Sequence, residues 1–182
     1  MADMAIRTLP LAGVHGGSAS VRLSLAAPAE RIALRVRTED VEGLSRALGV
    51  DLPMKPKTSA SANGRTALWL GPDEWLLIDE GEGGLVAACA GAGVLHSAVD
   101  VSHRNTAILV EGRGAAAALN AGCPQDLSLK TFPVGACSRT IFGKVEIVLL
   151  RIGEESFRVE VWRSFSDYAF GLLAEGARDT AP

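Results

Sequence analysis

Arg31-Ile32-Ala33-Leu34-Arg35-Val36-Arg37 runs directly into Thr38-Glu39-Asp40-Val41-Glu42-Gly43-Leu44-Ser45-Arg46-Ala47-Leu48-Gly49. In the first piece Ile32, Leu34 and Val36 alternate with Arg31, Arg35 and Arg37. Period two with one charged face predicts a strand with one wet side. In the second piece the period changes. Thr38 fits an N-cap, Glu39, Asp40 and Glu42 fall in the first turn where the helix dipole favours acids, and Val41, Leu44 and Leu48 form a helical stripe. Gly49 is the expected stop. A strand followed at once by a helix sets the pattern against which the rest of the chain is read.

Downstream, Arg65 to Leu70 and Trp75 to Asp79 read as two strands joined by Gly71-Pro72-Asp73-Glu74, a hairpin by its turn chemistry. A short Ala-rich helix over Gly84 to Ala90 and a strand over Val94 to Ser102 complete a β-α-β-β-α-β half. The second half starts similarly. Thr106 to Glu111 is strand-like, Ala115 to Ala121 is helix-like with Gly122 as its stop, and Cys137 to Phe142 with Lys144 to Arg151 form a hairpin across Gly143. Glu155 to Arg163 is a further strand, with Phe157, Val159 and Val161 on one face and Arg158 and Glu160 on the other. Ser164-Phe165-Ser166-Asp167 resembles a capping box opening a last helix, whose buried stripe is read as Tyr168, Leu172 and Leu173. The expected fold class is α+β, with duplicated β-α-β-β-α-β, ferredoxin-like halves. The expected organisation is an extended N-terminal arm over 1–29 and a single α+β domain over 30–178, made of two intertwined lobes at about 30–102 and 103–178. The arm, rich in Ala, Gly, Ser and Pro, has two readings: a frayed terminus, or a segment that orders against a partner.

Composition narrows the function. The 182 residues are 48% hydrophobic and 21% charged, enough for a core and not the balance of a disordered chain. The formal charge of −3 gives no electrostatic reason to expect nucleic acid or an anionic membrane as partner. The longest uncharged stretch, Gly83 to Val99, is interrupted by glycines, His96 and Ser97, whereas a spanning helix needs roughly 20 mostly apolar residues. Cys89, Cys123 and Cys137 are odd in number and far apart, so neither a disulfide framework nor a structural zinc site is expected. The opening MADMAIRTLP lacks an apolar h-region and does not read as a signal peptide. Together these predict a reduced, cytoplasmic protein.

Several constellations invite a chemical reading. Asp100-Val101-Ser102-His103-Arg104-Asn105-Thr106 contains Ser, His and Asp, but on a strand Asp100 and Ser102 share one face and His103 points to the other, so a strand end with a tight turn is the preferred reading over a triad. Gly112-Arg113-Gly114-Ala115-Ala116-Ala117 matches G-x-G-x-x-A between a strand and a helix, but the acid expected about 20 residues on is replaced by Phe132. His15, His96 and His103 show no ligand spacing. Asp73-Glu74 reads as solvated surface, and nothing near Cys123 depresses its pKa. Trp69, Trp75 and Trp162 fall on strands, either as an aromatic core cluster or at a subunit interface, with Trp69 and the arm as the interface elements. No catalytic, cofactor-binding or metal-binding residue is assigned.

A family resemblance accounts for that silence. Leu70-Gly71-Pro72-Asp73-Glu74-Trp75-Leu76-Leu77, Asp100-Val101-Ser102-His103-Arg104, Gly122-Cys123-Pro124-Gln125-Asp126-Leu127, Phe132-Pro133-Val134-Gly135, Arg139-Thr140 and Arg163-Ser164-Phe165-Ser166-Asp167-Tyr168 occur in the order found in the gamma subunit of heterotetrameric sarcosine oxidase, which the chain resembles over about residues 65 to 175. More distantly it is similar to the folate-binding fold of the glycine-cleavage aminomethyltransferase, through Asp100-Val101-Ser102-His103 and Val110-Glu111-Gly112 before Ala115 to Leu119. The resemblance implies a non-catalytic subunit supporting a large alpha subunit, with beta and delta subunits, in oxidative demethylation of sarcosine to glycine. The products would be hydrogen peroxide and formaldehyde or methylenetetrahydrofolate. It implies FAD, FMN, NAD, tetrahydrofolate and zinc on the other subunits and none on this chain. The competing expectations are a stand-alone folate-dependent one-carbon transferase or folate-binding protein, and a dinucleotide-binding domain built on Gly112 and Gly114.

Overall fold

The computed structural model describes residues 10–11 and 15–180. In chain order these form β1 (Gly16–Gly17), β2 (Arg22–Leu25), β3 (Glu30–Val36), a 3-10 turn (Thr38–Asp40), α1 (Val41–Leu48), β4 (Ser59–Ala62), β5 (Arg65–Gly71), β6 (Glu74–Asp79), α2 (Leu85–Gly91), β7 (His96–Asp100), β8 (Asn105–Glu111), α3 (Ala115–Asn120), β9 (Cys137–Phe142), β10 (Val145–Gly153), β11 (Ser156–Trp162), a second 3-10 turn (Arg163–Phe165) and α4 (Ser166–Asp179). The strands make two antiparallel sheets, ordered β4-β5-β6-β3-β7 and β9-β10-β11-β8-β2-β1. The duplicated α+β plan expected from element order is present: each sheet holds a ferredoxin-like set of four strands with an extra strand, β4 or β9, on the same side, and the second sheet adds β1 at its other edge.

The second copy of the plan is permuted. In the first lobe α2 leads into β7, which closes the sheet beside β3. In the second lobe α4 ends the described chain, and the place beside β8 is taken by β2 from the N-terminal segment, in the register Leu23 with Val110. Within the arm expected over 1–29, Gly16–Gly17 and Arg22–Leu25 are strands of the C-terminal lobe's sheet, with Val21 and Leu23 buried in its core. Burial of Val21 and Leu23 and the backbone ladder to β8 act together against the entropy cost of ordering the segment. Positions 1–9 and 12–14 of that arm lie outside the described residues.

Helices cover only the outer face of each sheet, so the inner faces meet. Strand alternation sorts the side chains accordingly. On β6, Trp75 and Leu77 point to α1 and α2, while Leu76 and Ile78 point to the other sheet. On β10, Ile147 and Leu149 point to α3 and α4, while Val148 and Leu150 meet Leu68, Leu76 and Ile78. The layers are thus helix, sheet, sheet, helix. At one edge the sheets are stitched by a bridge between Thr58 and Ala136, with the Cys137 N–H donating to Lys57 O at 3.1 Å.

On the β3 face read as wet, Arg35 and Arg37 are exposed as expected, but Arg31 is not. Arg31 on β3 and Arg158 with Glu160 on β11 lie between the sheets and are buried. The last helix also departs from expectation. Its buried residues include Ala169, Phe170, Leu173 and Ala177, whereas Tyr168 is exposed and Leu172 only partly covered. No side chain caps its start; Ser166 Oγ donates instead to Arg163 O. Thr38 likewise opens a 3-10 turn rather than capping α1, whose end at Gly49 (φ 64°) is as expected. Gly176 lets α4 press on α3, because a Cβ there would lie 2.5 Å from Ala118 O.

Candidate functional site

The densest buried polar cluster is the seam between the two sheets. Arg31 Nε donates to Glu160 Oε2 at 2.7 Å, with side chains 4% and 1% exposed. Arg158 Nε donates to the other oxygen, Oε1, at 2.8 Å, and Arg158 Nη1 reaches Glu80 at the rim. One carboxylate thus holds two guanidinium groups, one from each sheet, and Glu80 balances the second charge. Desolvation of such ions is costly and is offset by closing geometry and charge; here the charges balance, while Arg158 Nη2 stays buried without a hydrogen-bond partner. Arg31 ties in the neighbouring turn as well: its N–H donates to Ser102 Oγ at 2.8 Å and its Nη1 to Ala29 O at 3.0 Å.

A second bridge crosses the seam at its other end. Glu74 of the β5–β6 hairpin takes Arg139 of β9 on both carboxylate oxygens and Arg35 at 3.0 Å. It is not the solvated residue its neighbour Asp73 suggests. The Arg139 hydrogen bond, working against burial, holds the Glu74 carboxyl below its ordinary value. A carboxyl lowered on folding adds stability above its unfolded pKa of about 4.3, and that stability is lost as pH falls through the folded value. The melting temperature of the wild type should accordingly fall more steeply on acidification below about pH 4.3 than that of Glu74→Gln, as read by thermal scans across that range. Equal slopes would show that the bridge contributes no acid sensitivity.

Clefts open from the seam, among them one of about 510 Å³ lined by Ile78, Glu80, Leu150 and Arg158 and two lined by more of the polar residues. The larger, about 640 Å³, lies between residues 25–31, 79–83 and 100–106. Three of its four carboxylates serve local structure, and the fourth, Glu82, is exposed. Glu30 accepts the amides of Leu85 (2.9 Å) and Val86 (3.3 Å) at the start of α2. Asp79 accepts Arg65 (2.9 Å) and the Gly81 amide (2.7 Å), which together outweigh the upward push of burial and leave its carboxyl low. Asp100 accepts the Ser102 amide at 2.8 Å. The smaller cleft, about 130 Å³, is lined by Glu74, Arg104, Asn105, Arg139 and Trp162 among others. There Arg104 stacks 4.0 Å from the Trp162 ring centre, and Phe165 lies 6.0 Å from Trp162.

The residues singled out from sequence fall as follows. Asp100 and Ser102 form the strand-end turn, and Ser102 Oγ is occupied by Arg31 rather than presented to a base. The Gly112–Gly114 loop is not open to a pyrophosphate, because the chain's own residues 20–21 fill it. Gly112 (φ 118°) would place a Cβ 2.3 Å from Ser20 O, Gly114 would place one 2.8 Å from both Ser20 Oγ and Val21, and the Gly114 amide already donates to Ser20 O at 3.1 Å. The dinucleotide expectation is corrected on that ground. Among the described residues no group of three or more His, Cys, Asp or Glu is placed to hold a metal ion, and no helix is long and apolar enough to cross a membrane. Burial pushes the Cys137 thiol up to about 12 and the Cys89 thiol upward. Trp75 is a core residue donating Nε1–H to Pro53 O at 2.8 Å, and Trp69, opposite it across the hairpin, is half-buried against the same core.

The buried ion cluster escaped sequence reading. Its only trace was the pairing of Arg31 with an apolar alternation, and its partner lies 129 residues away.

Comparison with known proteins adds a family model, two relatives and two solved structures. The model of the "Sarcosine oxidase, gamma subunit family" matches residues 39–179. Sarcosine oxidase subunit gamma of Corynebacterium sp. (strain U-96) is 33% identical over 135 residues, covering 72% of this chain and 66% of that protein. The Arthrobacter sp. counterpart is 36% identical over 143 residues, covering 76% and 70%. A chain of the heterotetrameric sarcosine oxidase from Corynebacterium sp. U-96, solved in complex with pyrrole 2-carboxylate, superposes with a TM-score of 0.85 at 29% identity over 91% of this chain and 89% of that one. Glycine cleavage system aminomethyltransferase T from Bartonella henselae gives a TM-score of 0.67 at 18% identity, covering 90% of this chain and 50% of that one, a likeness of fold alone.

Proposed function

This chain belongs to the sarcosine oxidase gamma subunit family, and from that premise we propose that it is the gamma subunit of a heterotetrameric sarcosine oxidase, assembled with alpha, beta and delta subunits. The complex would demethylate sarcosine oxidatively to glycine, giving hydrogen peroxide and formaldehyde or methylenetetrahydrofolate. The observation that carries this reading is the superposition, over nearly the whole of both chains, on a component of a solved heterotetrameric sarcosine oxidase.

The chain's own part is to supply a stiff block and contact surface, while companion subunits hold the flavins, nucleotide, folate and zinc. Three features support this. The glycine loop that could have held a pyrophosphate is packed by Ser20 and Val21. The carboxylates Glu30, Asp79 and Asp100 of the large cleft are spent on amides and on Arg65. The two lobes are locked by ion pairs across a dry seam, an arrangement suited to bracing rather than to opening and closing around substrate.

The test is co-expression of the four subunits with and without this chain. Its omission is expected to abolish stable assembly and sarcosine-dependent peroxide production, and the purified chain alone should show neither activity nor a flavin absorption band. A three-subunit complex that turns over sarcosine as fast as the full one would overturn the proposal.

A further inference from the structure

The two lobes share a plan but finish their outer edges differently. In the second lobe β2 closes the ferredoxin-like set, and β1 lies antiparallel along its outer side, with Gly16 against the Phe170 ring. In the first lobe β7 holds the matching place and is the last strand of its sheet. Its outward groups follow from its pairing. The Val101 amide donates to Arg31 O at 2.9 Å. Antiparallel alternation then makes Val99–Ala33 and Ser97–Arg35 the bonded pairs and turns the peptide groups of His96 and Ala98 away from β3.

The chemistry of this edge is unusual for a strand left bare. No charged residue stands between Glu82 and Asp100. Leu95 is 70% exposed, Val99 54% and Val86, on the adjoining α2, 47%. Edges that face water are normally blunted with lysine, proline or a bulge; β7 carries none of these, its one charge being Asp100 at its end, and such an edge is a template for another strand.

We infer that β7 and the outer face of α2 form a docking surface for a companion subunit of the oxidase, which lays an extended segment antiparallel along β7. This rests on the reading of the chain as an oxidase subunit. The sister edge shows the shape of the occupant, since β1 covers β2 in that manner. The absence of charge from 83 to 99 sets its chemistry: an uncharged, aliphatic segment, with a basic residue where it passes the exposed Glu82 at the rim. Area sets its extent. Five strand residues alone fall short of the ~800 Å² per partner of a stable interface, so the occupant also covers Val86 and Leu95.

Two variants address the edge without touching a bond to β3. Ala98→Pro deletes an outward N–H, and Val99→Lys places a charge beside the strand. Each is co-expressed with the companion subunits, and incorporation of this chain is read by native mass spectrometry. Incorporation should fall at least about tenfold for both, while thermal melts of the isolated variants stay close to wild type and Ile141→Lys, on exposed β9, assembles normally. In the wild-type complex the His96 and Ala98 amides should exchange hydrogen at least about tenfold more slowly than in the isolated chain. Normal assembly of both variants, or unchanged exchange, overturns the inference. So does an isolated chain that sediments as a dimer and becomes monomeric with Ala98→Pro while assembly is unaffected, since a second copy would then own the edge. Failure of the wild type to assemble with any companion removes the subunit reading itself, a result distinct from variants failing against a competent wild type.

Discussion

Replacing Glu160 by alanine lowers the stability of the chain by about 3–5 kcal/mol, the range found when one partner of a buried ion pair is deleted. For a chain of this size that corresponds to a fall in melting temperature of about 6–20 °C. The reason is what remains. Arg31 and Arg158 would face each other across the seam with no anion between them, and Glu80, which is half exposed, can serve only Arg158. The effect should be far larger than that of Glu42→Ala, which removes an exposed pair with Arg46 worth about 0.3–0.5 kcal/mol. A discriminating control is the triple variant Arg31→Met, Arg158→Met, Glu160→Leu. It removes the three buried charges at once, leaving Glu80 at the rim, where it is half exposed, and should recover most of the loss, because the desolvation cost disappears with the ions. Thermal melts of the three variants decide the matter. A single Glu160→Ala change that costs under about 1 kcal/mol would mean that water already reaches the seam.

Removal of the N-terminal segment is expected to be as damaging. Deleting residues 1–25 strips β8 of its neighbour on one side and takes Val21 and Leu23 out of the second core. It also empties the space against Gly112 and Gly114. Leu23→Ala alone should cost about 2–5 kcal/mol, the usual range for a buried leucine, and the full deletion should leave the C-terminal lobe unable to fold cooperatively. Urea melts followed by Trp162 and Trp75 fluorescence would read the two lobes separately. A segment that ordered only against a partner would behave oppositely, since the isolated chain would melt identically with or without it.

The elements were legible because their signals are local. The strand over 30–36, the Pro72–Asp73 hairpin turn, the Gly49 stop and the alternation of Phe157, Val159 and Val161 each depend on residues a few positions apart, and each is found where its pattern placed it. Duplication was legible from the order of those elements. What alternation cannot report is the nature of the medium on the polar side. Arg31 beside Ile32, and Arg158 beside Val159, look the same in sequence whether that side meets water or another sheet carrying Glu160. The same limit applies to Glu74. Its neighbour Asp73 is exposed, and only the approach of Arg139, 65 residues on, distinguishes the two. The glycines at 112 and 114 carried a correct local message, a tight strand-to-helix turn, but not the identity of the group lying against them.

By itself, then, the amino-acid order set the periods, the turns and the family, because hydrogen-bond geometry and side-chain alternation act over a few residues and the motif order is written directly in the chain. Tertiary packing decided three other matters. It assigned β2 to the distant lobe, buried an ion cluster that reads as surface charge, and left β7 at a sheet edge with no strand beyond it among the described residues. Each of these depends on which surfaces end up facing one another, and that is settled by contacts between segments far apart in sequence, where Coulomb attraction and burial act through space rather than along the chain.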